Sequence, residues 1–135
     1  MSETAENRQV VEVINAVLSG EKPIAALDTV IADDFHDHAA FPGQRPGRAG
    51  FADAVGNLRA AFDQKVRSLH TAAEGDLVID HWVSEGVHRG AFFGIEPTGK
   101  NVRIEGFSVW RIVDGRAAEA WGLVDIAGLM RQLKA

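Results

Sequence analysis

The sequence contains no cysteine and no tyrosine. The first absence excludes disulfides, thiolate metal centres and cysteine nucleophiles, and makes the cytoplasm the expected compartment. The second removes any mechanism that needs a phenol to hold an oxyanion. No apolar run approaches the roughly 20 residues that a membrane helix needs. The polar opening Met1–Gln9 does not read as a signal peptide, because no apolar stretch follows a basic patch. Blocks of Lys or Arg are also missing. With 14 basic against 19 acidic residues the net charge is −5, which argues against a nucleic-acid backbone or an anionic membrane as partner. No repeat and no low-complexity tract is found.

What is present reads as globular. Hydrophobic residues make up 46% of 135 residues, enough for one core and too short a chain for two ordinary domains. Val10, Ile14, Val17 and Leu18 recur at helical spacing, with Ser2 or Thr4 to cap and Gly20 to stop. Pro23 opens a short second helix with Ile24, Leu27 and Ile31 on its apolar face. A third helix follows Gly50 and carries Phe51, Val55, Leu58 and Phe62. Strands are then expected over 66–73, 77–88, 102–113 and 117–124, with Asp114-Gly115 as a two-residue hairpin turn. Ile126, Leu129, Met130 and Leu133 close the chain as a short helix. Helices ahead of a run of antiparallel strands define an α+β domain, with the helices covering one face of a curved sheet and a pocket in its concavity.

Pairing Val113 with Arg116 sets Ser108 opposite Trp121, Trp110 opposite Glu119 and Ile104 opposite Asp125. One face then collects Ile104, Gly106, Ser108, Trp110, Trp121 and Asp125; a one-residue bulge would reverse part of this assignment. A carboxylate at 125 beside tryptophans would lose solvation and exchange protons near neutral pH. Asp125 also stands where an N-cap for the closing helix belongs. As a base, Asp125→Asn should slow turnover at least roughly a hundredfold while melting near wild type; as a cap alone, activity should survive. His88, at a strand end beside a Gly-rich loop, is a candidate to shuttle a proton or orient a carbonyl, or is a loop-edge histidine. His81 has the opposite parity. His36 and His38 would share a face if extended, but no further ligand set with recognisable spacing accompanies them, so no metal is expected. Neither a phosphate-binding glycine loop nor a Gly-x-Ser-x-Gly elbow occurs.

Three segments together resemble the SnoaL-like polyketide cyclases, or ester cyclases, of the NTF2-like superfamily. They are Gly86-Val-His88-Arg-Gly90-Ala-Phe-Phe-Gly94-Ile-Glu-Pro97-Thr-Gly99, Phe107-Ser-Val-Trp-Arg111-Ile-Val-Asp-Gly115 and Trp121-Gly-Leu-Val-Asp125 with the residues to Leu133. Asp34-Phe-His-Asp-His38 and the Gly50 helix fit the first half. The resemblance covers nearly the whole chain and implies a single domain over 1–135, a cone-shaped α+β barrel, usually dimeric, with a deep apolar pocket. It implies a cofactor-independent acid–base enzyme that closes a ring in a hydrophobic carbonyl compound by intramolecular aldol condensation. His38, His88 and Asp125 match recurrent positions; Asp125 and His88 are the expected catalytic pair, and His38, Ser108, Trp110 and Trp121 the expected substrate contacts. Similar sequences often carry His-Trp-Asp where this chain has Ala120-Trp121-Gly122, so one acid position is empty here. An isomerase or epoxide hydrolase of the same fold is weakened by the missing tyrosine and by Arg111 on the opposite face. A non-catalytic small-molecule-binding module remains the other reading. The homodimer is expected through the outer sheet face, where Phe107 and Val109 would otherwise lie exposed.

Overall fold

The computed structural model describes residues 3–135. Helix α1 (Glu3–Leu18) buries Val10, Val11, Ile14 and Val17, the stripe its periodicity demands. Thr4 falls inside this helix, and the alternative cap Ser2 lies outside the described residues. Pro23 caps a 3₁₀ turn, Ile24–Thr29, as its fixed φ suits. The turn is shorter than expected because Ile31 begins strand β1 (Ile31–Asp37). Helix α2 (Gly47–Ala61) leads directly into β2 (Phe62–Glu74), followed by β3 (Leu77–His88), β4 (Asn101–Val113), β5 (Arg116–Val124) and α3 (Ile126–Lys134).

The strands form one five-stranded sheet in the order β1-β5-β4-β3-β2. Four of them make an antiparallel meander, as expected. β1 joins the edge of β5 in parallel, so the sheet is mixed. It also remains open, with β1 and β2 as its two edges; the expected cone does not close into a barrel. The helices close it instead. α1 packs on β2 and β3, and α2 on β1 and β2, so both lie across the concave face.

Register decides which residues that face receives. Asp114 and Gly115 both have positive φ, 50° and 78°, the signature of the tight turn that matches strand twist. Val113 does pair with Arg116 and Ile112 with Ala117, but Arg111 then pairs with Glu119. Ala118 is an extra residue on β5, a β-bulge. Beyond it every expected pairing shifts by one: Trp110 stands opposite Ala120, Val109 opposite Trp121 and Ser108 opposite Gly122. The concave face therefore carries Trp110, Ser108, Ala120 and Gly122, while Trp121 and Glu119 turn to the convex side with Arg111.

The core lies between helices and sheet. Ile14, Val17, Ile31 and Val78 are wholly buried and pack with Trp110, Phe35 and Ile112. Phe35 stacks on Trp110 at 6.1 Å, and Phe51 meets both rings edge-on at 5.3 and 6.0 Å. A second cluster, Phe62, Val102, Ile104, Leu129 and Leu133, sits under α3. No described helix is long and apolar enough to cross a membrane.

Candidate functional site

The concave face does not pack solid. Between α1, α2, the sheet and the segment 39–44 lies an apolar cavity of about 490 Å³. β1 stops short of β5: Asp37 pairs with Ala120, so Gly122, Leu123 and Val124 run on past the end of β1 and line the cavity, the last two at exposed positions. Phe41, Phe51, Phe62, Phe92, Trp82 and Trp110 supply much of the wall. Gly106 is required behind Trp82, because a Cβ there would collide with the indole ring.

A few polar groups interrupt this surface. Trp82 Nε1 donates to Ser108 Oγ at 3.0 Å, which leaves the Ser108 hydroxyl proton free to donate in turn. Ser84 donates to Gln64 Oε1 at 2.8 Å, and Gln64 Nε2 donates to the Leu18 carbonyl. Asn15 reaches in from α1. Among the residues that line the cavity, Asp37 is the one ionisable group. Its carboxylate accepts from the Ala39 amide at 2.9 Å through one oxygen and from Gln44 Nε2 at 3.0 Å through the other. Both donors fix its orientation and leave further lone pairs on each oxygen.

Of the expected substrate contacts, Ser108 and Trp110 stand on the cavity wall. Trp121 borders the cavity from the other face of the sheet, where its ring stacks on His38 at 4.8 Å. His38 itself points outward and meets Glu119 Oε2 at 2.6 Å. Alternation along β1 explains the split: Phe35 and Asp37 face inward, His36 and His38 outward.

The outer cluster places the ligand atoms of His36, His38 and Glu119 within 4.8 Å of one another. Glu119, invisible as a third partner in sequence, is brought there by β5. Its carboxylate is already engaged by His38 and, at 3.4 Å, by Arg111, which also holds Asp76 at 2.8 Å. The His38 hydrogen bond, with lesser help from the His38 and Arg111 charges, holds the Glu119 carboxyl below the usual carboxylate range against partial desolvation. A lowered folded pKa means stability that is present above the ordinary carboxylate range and lost as pH falls through the lowered value. We expect the melting temperature of Glu119→Gln to lie below wild type at neutral pH, and the gap to close below about pH 4. A gap that persists undiminished in acid would remove the ion pair as its cause.

Asp125 is exposed and absent from the cavity wall. The expected shielding by tryptophans fails because the bulge at Ala118 shifts the register beyond it, and Asp125 follows the end of β5, its amide donating to the Glu105 carbonyl on β4. Its carboxylate caps α3, accepting from Gly128 N at 2.9 Å. Asp125→Ala should therefore lose about 0.5–2 kcal/mol of stability and Asp125→Asn less, read from urea melts. A hundredfold slower but normally stable Asn variant would return this carboxylate to the chemistry.

His88 is fully buried, yet also lies outside the cavity wall. Thr98 N donates to its Nδ1 at 3.1 Å, so the neutral ring carries its proton on Nε2, which has no hydrogen-bond partner among the described residues. Phe62 packs against the ring at 5.2 Å. His88 thus clasps the loop 89–100 to the end of β3. His81 has the opposite parity and stacks on His70 and Phe107 outside. Sequence reasoning missed Asp37 as a cavity group and Asp80 altogether. The alternation Phe35-His36-Asp37-His38 carried the first signal, once this segment is taken as a strand.

The helix-covered open sheet thus encloses an apolar cavity interrupted by few polar groups. The chain belongs to the SnoaL-like polyketide cyclase family, whose model matches residues 8–133. It is 32% identical over 110 residues to nogalonic acid methyl ester cyclase of Streptomyces nogalater, covering 79% of this chain and 82% of that protein. Among solved structures it resembles TsrD from Streptomyces laurentii, with TM-score 0.89, 23% identity and 98% of both chains covered. It also resembles a protein from Acidithiobacillus ferrooxidans provisionally described as a polyketide cyclase, with TM-score 0.84, 28% identity, and 99% and 98% of the two chains covered.

Proposed function

We propose that this protein is a cofactor-independent acid–base enzyme that binds a hydrophobic carbonyl compound in the concave cavity and closes a ring by an intramolecular aldol reaction. The observation that carries the reading is a single oriented carboxylate, Asp37, the one ionisable group in a mostly apolar wall. Asp37 takes a proton alpha to a carbonyl, and the enolate oxygen accepts the Ser108 hydroxyl, itself held by Trp82. Ser108 stands one cross-strand row beyond Asp37, since Asp37 pairs with Ala120 and Ser108 with Gly122. The enolate carbon then bonds to a second carbonyl carbon of the same molecule, and the resulting alkoxide receives the proton. The product is an isomer of the substrate. Proton abstraction is measurable without the true substrate: the protein should accelerate exchange of the alpha protons of 2-tetralone into deuterium oxide, followed by NMR. Exchange at the buffer rate with 2-tetralone bound would leave a binding protein.

That second reading has its own support, in Gly122, which brings no side chain to the wall, and in the exposed cap Asp125. Restoring an acid separates the two readings further, because a Cβ at 122 would meet Ala39 Cβ at 3.4 Å and Ser108 Oγ at 3.8 Å, inside the cavity.

The homodimer belongs to this proposal as well. Ile79, Phe107 and Leu123 are 46%, 53% and 79% exposed on the outer face, an apolar patch that the helices do not cover. Light scattering at micromolar concentration should give twice the 14.6 kDa mass; a monomer would count decisively against it.

A further inference from the structure

Asp80 is 1% exposed, yet no cation lies within ion-pair distance of it among the described residues. Its two oxygens are met by neutral donors: Asn15 Nδ2 at 3.1 Å and Thr71 Oγ1 at 3.3 Å. Burying a carboxylate on such terms is costly, and an apolar side chain would fill the place between helix and sheet more cheaply. The register adds a second observation. Asp80 pairs with Ser108, and Ser108 with Gly122, so the three lie in one row across the concave face. Asn15, which Asp80 holds, lines the cavity itself.

A carboxylate can only accept, and this settles which way the Asn15 amide faces. Both protons of Asn15 Nδ2 are taken by groups that do not line the cavity, Asp80 and Ser68 Oγ at 3.3 Å. No hydrogen bond from the described residues reaches Asn15 Oδ1. We infer that Asp80 is a positioning residue: it locks Asn15 so that the side-chain carbonyl is presented to the cavity as an acceptor, and the site therefore selects ligands that carry a hydroxyl or enol O–H. Beside the Asp37 carboxylate, Asn15 Oδ1 adds a neutral acceptor and the Ser108 hydroxyl a donor, a pattern that suits a ligand bearing both a hydroxyl and a carbonyl. This rests on the proposed small-molecule site and names the ligand chemistry that the site prefers.

The test uses two probes of nearly one shape, 2-naphthol and 2-methoxynaphthalene, with binding to the full-length protein followed by probe fluorescence. Wild type should favour the naphthol by roughly tenfold, the worth of one hydrogen bond. In Asp80→Asn the residue at 80 can donate as well as accept, so Asn15 is free to turn; the preference should fall toward one while affinity for the methyl ether holds. Asn15→Ala, at a half-buried position, should do the same and serves if the first variant fails to fold. A parallel loss of both probes would reduce Asp80 to a structural tie between α1 and the sheet, and an unchanged preference in both variants would equally overturn the inference. If the methyl ether does not bind wild type, the cavity reading itself fails. If it binds and the naphthol binds no better, only the role of Asp80 fails.

Discussion

Asp37→Asn should slow alpha-proton exchange in the bound ketone by about 10²–10⁴, the usual worth of a general base, while the protein melts close to wild type. Asparagine keeps the shape and can still accept from the Ala39 amide, which donates to the carboxylate at 2.9 Å. Its amide nitrogen then faces Gln44 Nε2, so that one half-buried contact is lost while the Phe41 amide keeps Gln44 Oε1 in place. What the substitution removes is the capacity to take a proton. The effect should be large because no other ionisable side chain among the described residues lines the cavity, so nothing nearby can substitute. A parallel experiment with Gln44→Ala should give a smaller loss, since the Ala39 amide still orients one oxygen. Exchange in Asp37→Asn at the wild-type rate would move the base elsewhere, and with it the proposed mechanism.

Trp110→Ala should cost about 3–5 kcal/mol of stability, the range for deleting a large buried aromatic ring. Trp110 is 6% exposed and stands at the centre of the Phe35–Phe51 cluster, so the truncation removes ring contacts as well as buried area. It also lines the cavity, and the void it leaves joins the space already present instead of collapsing. Equilibrium urea unfolding reads the loss. A cost below about 1 kcal/mol would mean that the helices resettle onto the sheet, contrary to the close packing expected of such a core.

Much of this architecture was legible in the sequence because its signals are local. The stripe Val10, Ile14, Val17 sets α1, and Asp114-Gly115 sets the hairpin. β1 was harder to see, because Ile31-Ala-Asp-Asp-Phe-His-Asp37 carries its apolar residues only at the ends of a four-residue step, which mimics a helix. The bulge at Ala118 has no marker at all: an alanine among apolar neighbours gives no hint that the ladder skips it. That single skip moved Trp121 and Asp125 off the cavity side. Asp80 was hidden differently. In Ile79-Asp80-His81 the polar residue reads as the solvent-facing partner in an alternation, yet it is the buried one, because Ile79 faces outward, 46% exposed. His88 and Asp125 stood out as chemistry-bearing residues in the sequence, and the fold uses both at the margins of elements, one to clasp a loop and the other to cap a helix.

The bulge on β5 sets something like a reading frame for the cavity wall. Because side chains alternate, the unpaired Ala118 determines whether residues 120, 122 and 124 or residues 119, 121 and 123 become interior. Removing that one residue would leave the sheet order intact and exchange lining for surface: Trp121 would fill the interior, and Gly122 would open onto solvent. A family built on this scaffold can thus rewrite an entire wall by one insertion or deletion near a hairpin, a far shorter route than replacing the wall side chain by side chain.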